Sequence, residues 1–377
     1  MPLVEGTTLL DFLTLTSPTP NTYTTTTLSA SGPARAFGGC TIAFAIAAAS
    51  ASAIPQNFHC FSVLGNFLGP ALADRILSST VTHIRNTRSF CTRYVQVTQR
   101  LDDGSTRTVM AVLADFQALD QDAHETFNYS EPPSRVYSGV ATALPQSSIA
   151  ASLLSRGLLT PAAHAAIVAA KPDMRSRSIE SLHCPEGVLG QTAGLAVSGS
   201  QVRIPTSQDM LPMHARTSAD WFRSRVRLQS KAQQWGFVAF VVDGPTGWVP
   251  LLHDQRGLAE FEAVASLEFA LRFFVPAAGV AGVEGVEGDG RQNESDAGRG
   301  GSERDQAGKN ADHLDCNNWH LREFKSTAAS SGRTFYEGKV WDGKGRLVAS
   351  FTQQDIARPK RRVAGGGGEG KGGDVKL

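Results

Sequence analysis

The chain has 377 residues, enough for two domains or for one domain duplicated, and either would bury a sizeable core. Its 36 Lys and Arg nearly cancel its 35 Asp and Glu, so no global field draws it to nucleic acid. Five scattered cysteines, Cys40, Cys60, Cys91, Cys184 and Cys316, form no CxxC pair, which argues against a zinc site or a disulfide framework and for reduced thiols in an intracellular compartment.

The first thirty residues show no basic start followed by an apolar core, and no run of about eighteen apolar residues occurs anywhere, so no membrane span is expected. From Ala36, "AFGGCTIAFAIAAASASA" is Ala-rich and helix-forming after a Gly-Gly start. Four alternating segments follow: "HCFSVLGNFLG", "RILSSTVTHIRN", "SFCTRYVQVTQRL" and "STRTVMAVLADFQAL". Residues 136–175 carry Ala-rich helical stretches around Pro145 and Pro161 and read as a linker packed on the outside. The second half starts with "RSIESLHC" and "ADWFRSRVRLQS". It continues with the helical "AQQWGFVAFVVDGPTGWVPLL" and the strands "AVASLEFALRFFVP", "NWHLREFKSTAAS", "RTFYEGKVWDG" and "RLVASFTQQDIAR".

Each half thus reads as one helical segment followed by about four strands, an α+β arrangement in which an antiparallel sheet wraps a helix. The expected division is a first domain over 1–135, the linker over 136–175, a second domain over 176–362 and a tail over 363–377. Two segments stand apart. Residues 277–312 are rich in Gly, Asp, Glu and Arg and nearly free of aromatics, so they are expected to form a disordered loop between two strands. The Gly-rich tail is expected to be flexible.

The last two strands raise a question of their own. "DGKG" between alternating segments is a hairpin signal, and period two then puts Leu347, Ala349, Phe351 and Gln353 on one face. An apolar, inward face therefore ends in an amide. From the residues alone, Gln353 could cap a barrel edge in water or position a reacting group.

The order "RAFGG" plus Ala-rich helix, then "NFLGP", then "RNTRSFCTRYVQVTQ" resembles the amino-terminal half of the acyl-CoA thioesterase II family. There the equivalents are a Gly-Gly-Gln helix start, a Phe-Leu-Arg-Pro turn and an Arg-Ser-Phe strand pair. "SLEFALRFF" with "STAASSGRTFYEGKVWDGKGRLVASFTQQDIARP" is similar to that family's carboxy-terminal half and to the related thioesterase-like proteins. The resemblance implies a double hotdog, two tandem domains each with a long helix wrapped by an antiparallel sheet. It implies hydrolysis of a fatty acyl-CoA to free acid and coenzyme A; no cofactor is expected.

The family holds and activates the attacking water with an Asp, a Thr or Ser, and a Gln. Its Tyr-x-Ser-Asp segment falls on Asp243 in "AFVVDG", its Thr/Ser-Leu/Ile-Asp-His segment starts at Ser266 in "SLEF", and the Gln of its Val-Gln-Glu-Gly segment is Gln353 in "FTQQD". A thioester carbonyl is already electrophilic, so a carboxylate, a hydroxyl and an amide that orient water suffice without a covalent intermediate. Read without the family, Asp243 before "GPTG" is a turn former and Ser266 a space filler in an apolar strand. The chain departs from the family pattern at Glu268 and Phe269, which replace Asp-His, at Cys40, which replaces Gln, and at Gly69, which replaces Arg.

No Gly-x-Ser-x-Gly elbow and no HExxH spacing occur, so a serine hydrolase of the α/β class and a metal enzyme have no support. The basic run with Arg358, Lys360 and Arg361 reads as a solvated face or as a contact for the phosphates of coenzyme A. A hotdog dehydratase or hydratase acting on acyl thioesters and an inactive acyl-binding pair of hotdogs are the alternative functions, and a homo-oligomer is compatible with all three. The terminal "VKL" is near a peroxisomal address, which leaves cytosol or peroxisome as the expected compartment.

Overall fold

The computed structural model describes residues 6–30, 35–52, 54–119, 127, 129–170, 172–194, 203–244, 248–277 and 313–360. In chain order these form α1 (Leu9–Phe12), β1 (Leu15–Thr19), β2 (Thr22–Thr25), α2 (Gly38–Ala51), β3 (Phe58–Phe67), β4 (Ser78–Asn86), β5 (Phe90–Arg100) and β6 (Thr106–Ala118). Then come α3 (Gln146–Ser155), α4 (Pro161–Val168), α5 (Met174–Ser178), β7 (Ile179–His183), α6 (Val188–Thr192), β8 (Ser218–Ser224), α7 (Lys231–Val242) and α8 (Val249–Asp254). The chain closes with β9 (Phe261–Phe273), β10 (His320–Ser330), β11 (Arg333–Asp342) and β12 (Leu347–Pro359).

All twelve strands lie in one antiparallel sheet, in the order β1-β2-β4-β5-β6-β3-β9-β12-β11-β10-β8-β7. Read inward from either edge, the two halves have the same order, with β1 to β6 matching β7 to β12. They meet where β3 pairs with β9, Ser62 opposite Arg272 and Asn66 opposite Glu268. Each half therefore repeats two short strands, a helix and four long strands. The expected helix and four strands are present in both, and the two leading strands of each half are an addition. In the amino-terminal half they come from "LTSPT" and "TYTT", where Pro18 sits in an outermost strand, the place in a sheet that tolerates a missing N–H.

The two long helices form the layer inside the sheet. Helix α2 is apolar on every side because it is covered on every side, and all its residues from Gly39 to Ala49 are buried. Helix α7 is likewise buried from Gln234 to Val242. The two run antiparallel and very close together. A β-carbon on Gly39 would stand 2.8 Å from the Phe240 carbonyl oxygen, and one on Gly38 would stand 2.8 Å from a carboxylate oxygen of Asp243. The Gly-Gly start read from the sequence is thus a contact requirement between helices.

Helices α3 and α4 cover the expected linker and bury Ile149, Leu153 and Leu159 with Ala193 and Ile204. Tyr137 donates its hydroxyl hydrogen to Glu323 at 2.8 Å, which fastens this segment to β10 of the second half. The β11–β12 hairpin also forms, with Gly345 at φ +80° in the turn, where a side chain would be strained. The expected loop over 277–312 lies outside the described residues except for Ala277, which bridges Leu314. The expected tail over 363–377, with its "VKL", lies outside them too.

Candidate active site

The inward face of β12 carries the site. Alternation puts Ala349, Phe351 and Gln353 inward and buried, as expected, and Asp355 follows on the same face. Leu347, expected there too, packs instead with Trp341 and Leu321, because the pairing with β11 slips at this end and Val348 enters the core. The apolar face therefore ends in two polar residues. Across the sheet, β9 pairs Phe269 with Gln353 and Glu268 with Gln354, then slips by one residue so that Ser266 stands opposite Asp355. This bulge is local and re-aims the strand, and it brings the Ser266 hydroxyl under the amide.

The result is a hydrogen-bonded trio. The Gln353 Nε2 donates to Ser266 Oγ at 2.6 Å and to Asp355 Oδ1 at 2.9 Å. Gln353 is 2 % exposed and Asp355 is fully buried, whereas Ser266 is half-buried. Burial pushes the Asp355 carboxyl up to about 6, and the charge of Glu268 adds to the rise, while the Gln353 amide and the Ser266 hydroxyl pull the other way.

Asp243 lies in the helix layer inside the sheet. It is buried, it forms the carboxy-terminal cap of α7, and its carboxylate lies against Gly38 at the amino-terminal end of α2, where free backbone N–H groups favour negative charge. The end of α7 is fixed from below by Arg322. That guanidinium donates to the Val241 carbonyl and makes a two-pronged pair with Asp220, Nε to Oδ1 at 2.8 Å and Nη2 to Oδ2 at 2.7 Å. Against the cost of burial, Arg322 holds the Asp220 carboxyl below its usual range.

Tyr336 links the two groups of residues. It pairs with Gln353 across β11 and β12, is fully buried, and its hydroxyl has no hydrogen-bond partner among the described residues. Burial pushes its hydroxyl far up, Arg322 opposes that, and the negative charges of Asp220, Asp243 and Asp355 add to it. Both site carboxylates thus act electrostatically on one phenol.

Of the three residues the motifs single out, the structure joins Ser266 and Gln353 directly and sets Asp243 at the helix end near Tyr336. The sequence reading missed Asp355 and Tyr336. The period that put Gln353 inward puts Asp355 inward as well, so Asp355 was findable. Tyr336 was not, because only the register of β11 against β12 brings it alongside. Arg358 and Lys360 are exposed near the end of β12, with Arg358 on the face opposite to Asp355, and Arg361 lies outside the described residues. All five cysteines are buried and free.

A sheet that wraps two long helices defines the class to which the comparisons point. Residues 27–117 match the family model of the acyl-CoA thioesterase N-terminal domain and residues 309–356 that of the acyl-CoA thioesterase C-terminal domain. The likeness read from the motifs is therefore matched in both halves, and over those residues the chain is similar to the acyl-CoA thioesterases. An acyl-CoA thioesterase II from Mycobacterium marinum is similar in structure, with a TM-score of 0.55 at 17% identity over 93% of this chain and 97% of that one. The tesB protein of Mycobacterium avium subsp. paratuberculosis gives 0.56 at 15% over 93% and 98%. A hot dog fold protein from Alicyclobacillus acidocaldarius gives 0.56 at 15% over 94% and 98%. These likenesses establish the hotdog fold. No curated protein matches the chain.

Proposed function

We propose that the chain is a double-hotdog acyl-CoA thioesterase that hydrolyses a fatty acyl-CoA or a related acyl thioester to free acid and coenzyme A. The observation that carries this reading is the Ser266–Gln353 hydrogen bond on the inward face of the carboxy-terminal half, with Asp243 at the end of the helix that this half wraps. Those residue types supply what hydrolysis of an electrophilic carbonyl needs. A carboxylate and an amide hold the water, and a hydroxyl at the half-buried edge meets the thioester. Arg358 and Lys360 are the groups we assign to the phosphates of the coenzyme, a reading supported by their exposure near the strand end.

The test follows thiol release from acyl-CoA substrates of several chain lengths. Asp243→Asn, which keeps the shape and alters the charge, is expected to lower turnover by roughly 10² to 10⁴. Gln353→Ala is expected to lower it as well, and the double variant to lose much less than the product of the two losses if both act on one water. Folded Asp243→Asn and Gln353→Ala proteins that both hydrolyse at the wild-type rate would overturn the site. A wild type that binds acyl-CoA without releasing thiol would replace the enzyme by an acyl-binding protein.

A further inference from the structure

We propose that Asp355 is a further catalytic residue, the group that takes the proton from the attacking water. This rests on the thioesterase reading and adds to it a carboxylate that stands where the family's Val-Gln-Glu-Gly segment has its glycine.

The first support is geometric. Asp355 lies on the inward face of β12 beside Gln353 and opposite Ser266, and one amide nitrogen ties all three together at 2.6 and 2.9 Å. An ionised carboxylate only accepts, so it also fixes Gln353 with its nitrogen toward Asp355. The second support is an unmet need. Asp355 Oδ2 and Tyr336 Oη, on neighbouring strands, are both buried and both lack a hydrogen-bond partner among the described residues. A water or a substrate atom that bonds to them relieves that cost.

The third support comes from the other half of the molecule. Between β3 and β6 the register slips at the corresponding place, with Ser62 opposite Asp115 and Cys60 opposite Phe116. Matching bulge to bulge, Cys60 stands for Ser266, Ala114 for Gln353 and Phe116 for Asp355. All three are buried, and the same backbone forms without a single polar side chain among them. The bulge therefore does not need polar residues for its structure, and the carboxylate is there for something else.

In the step, a water oxygen attacks the thioester carbonyl carbon as one of its protons passes to Asp355. The C–S bond then breaks, and the same proton goes to the departing thiolate. Free acid and free thiol leave, and the carboxylate is restored. Asp243 orients the water from the end of α7. Other titratable groups act on Asp355 or on its neighbour Tyr336: the charge of Glu268 on β9, which pairs with Gln354, acts on Asp355, and Asp243 on α7 and the Arg322–Asp220 pair act on Tyr336. Burial also raises Glu268, so its titration must be separated from that of Asp355.

The experiment measures kcat/KM for thiol release between pH 5 and pH 9 in wild type, Asp355→Asn, Asp355→Gly and Glu268→Gln, with folding checked by circular dichroism. Wild type is expected to rise with pH through about 6 and then level off, and Glu268→Gln is expected to keep the rise but at somewhat lower pH, since the charge that helps raise Asp355 is gone. Folded Asp355→Asn and Asp355→Gly are expected to lose roughly 10² to 10⁴ in rate together with that rise. Asp355→Gly carries the residue the family has there and decides the matter if the asparagine variant does not fold. Thiol release by either folded variant within about threefold of wild type, with the pH rise intact, overturns the proposal and leaves the thioesterase reading standing. A wild-type profile that is flat from pH 5 to 7 overturns it too. No thiol release by wild type from any acyl-CoA overturns both.

Discussion

At Asp355 stability and chemistry pull in opposite directions. The carboxyl titrates near 3.8 when free and near 6 in the fold, so between those values the folded chain holds a proton that the unfolded chain has released. Stability therefore falls as pH rises through that window. Asp355→Asn is expected to stabilise the protein at pH 7 by up to about 3 kcal/mol, since one pKa unit corresponds to about 1.36 kcal/mol. Denaturant titrations at pH 4 and pH 7 should show that gain only at the higher value. Arg322 behaves in the opposite way. It is the partner of a buried carboxylate and holds the Val241 carbonyl, so Arg322→Met should cost about 3–5 kcal/mol by stranding Asp220. The same denaturant titration measures that loss.

Among the elements, the strands that hold the site were legible and their alignment was not. Alternation in "LVASFTQQDIAR" and the Asp-Gly turn before it were enough to draw the β11–β12 hairpin and to point Gln353 inward. The bulge that sets Ser266 opposite Asp355 left no mark in either strand alone, because it is a property of how two strands pair. The short leading strands were missed since four or five residues of Thr-rich or mixed sequence give too little periodicity to tell a strand from a loop. The start of α2 was legible as Gly-Gly and became explicable only with α7 in view. Gly39→Ala should force α2 away from the Phe240 carbonyl and cost about 1–3 kcal/mol, which thermal unfolding would detect. Between β9 and β10, the Leu314 N–H donates to the Pro276 carbonyl at 2.7 Å, so the two ends of the intervening segment are held side by side. Replacing residues 280–309 by a short Gly-Ser linker should therefore change stability by no more than about 1 kcal/mol, judged by melting temperature and chemical denaturation.

For the molecule as a whole, the seam between the halves is the decisive contact. β3 and β9 are each flanked on both sides by strands, and α2 and α7 bury each other's sides, so neither half has a finished surface without the other. Expressed separately, residues 1–135 and 136–377 should be insoluble or aggregated, and expressed together they should elute from a sizing column as one particle. Two soluble, folded halves would mean that the seam is only a docking surface.

The matched bulges give the protein a built-in control for evolution and for mutagenesis. One copy of the motif is loaded with a serine, a glutamine and an aspartate, and the other is blank, with a cysteine, an alanine and a phenylalanine on the same backbone. A saturation library scored twice, once for abundance and once for thiol release, should split the two copies cleanly. At Cys60, Ala114 and Phe116 the two scores should fall together, because whatever harms the core there harms everything. At Ser266, Gln353 and Asp355 apolar substitutions should keep abundance and abolish turnover, a separation that ordinary core positions cannot produce.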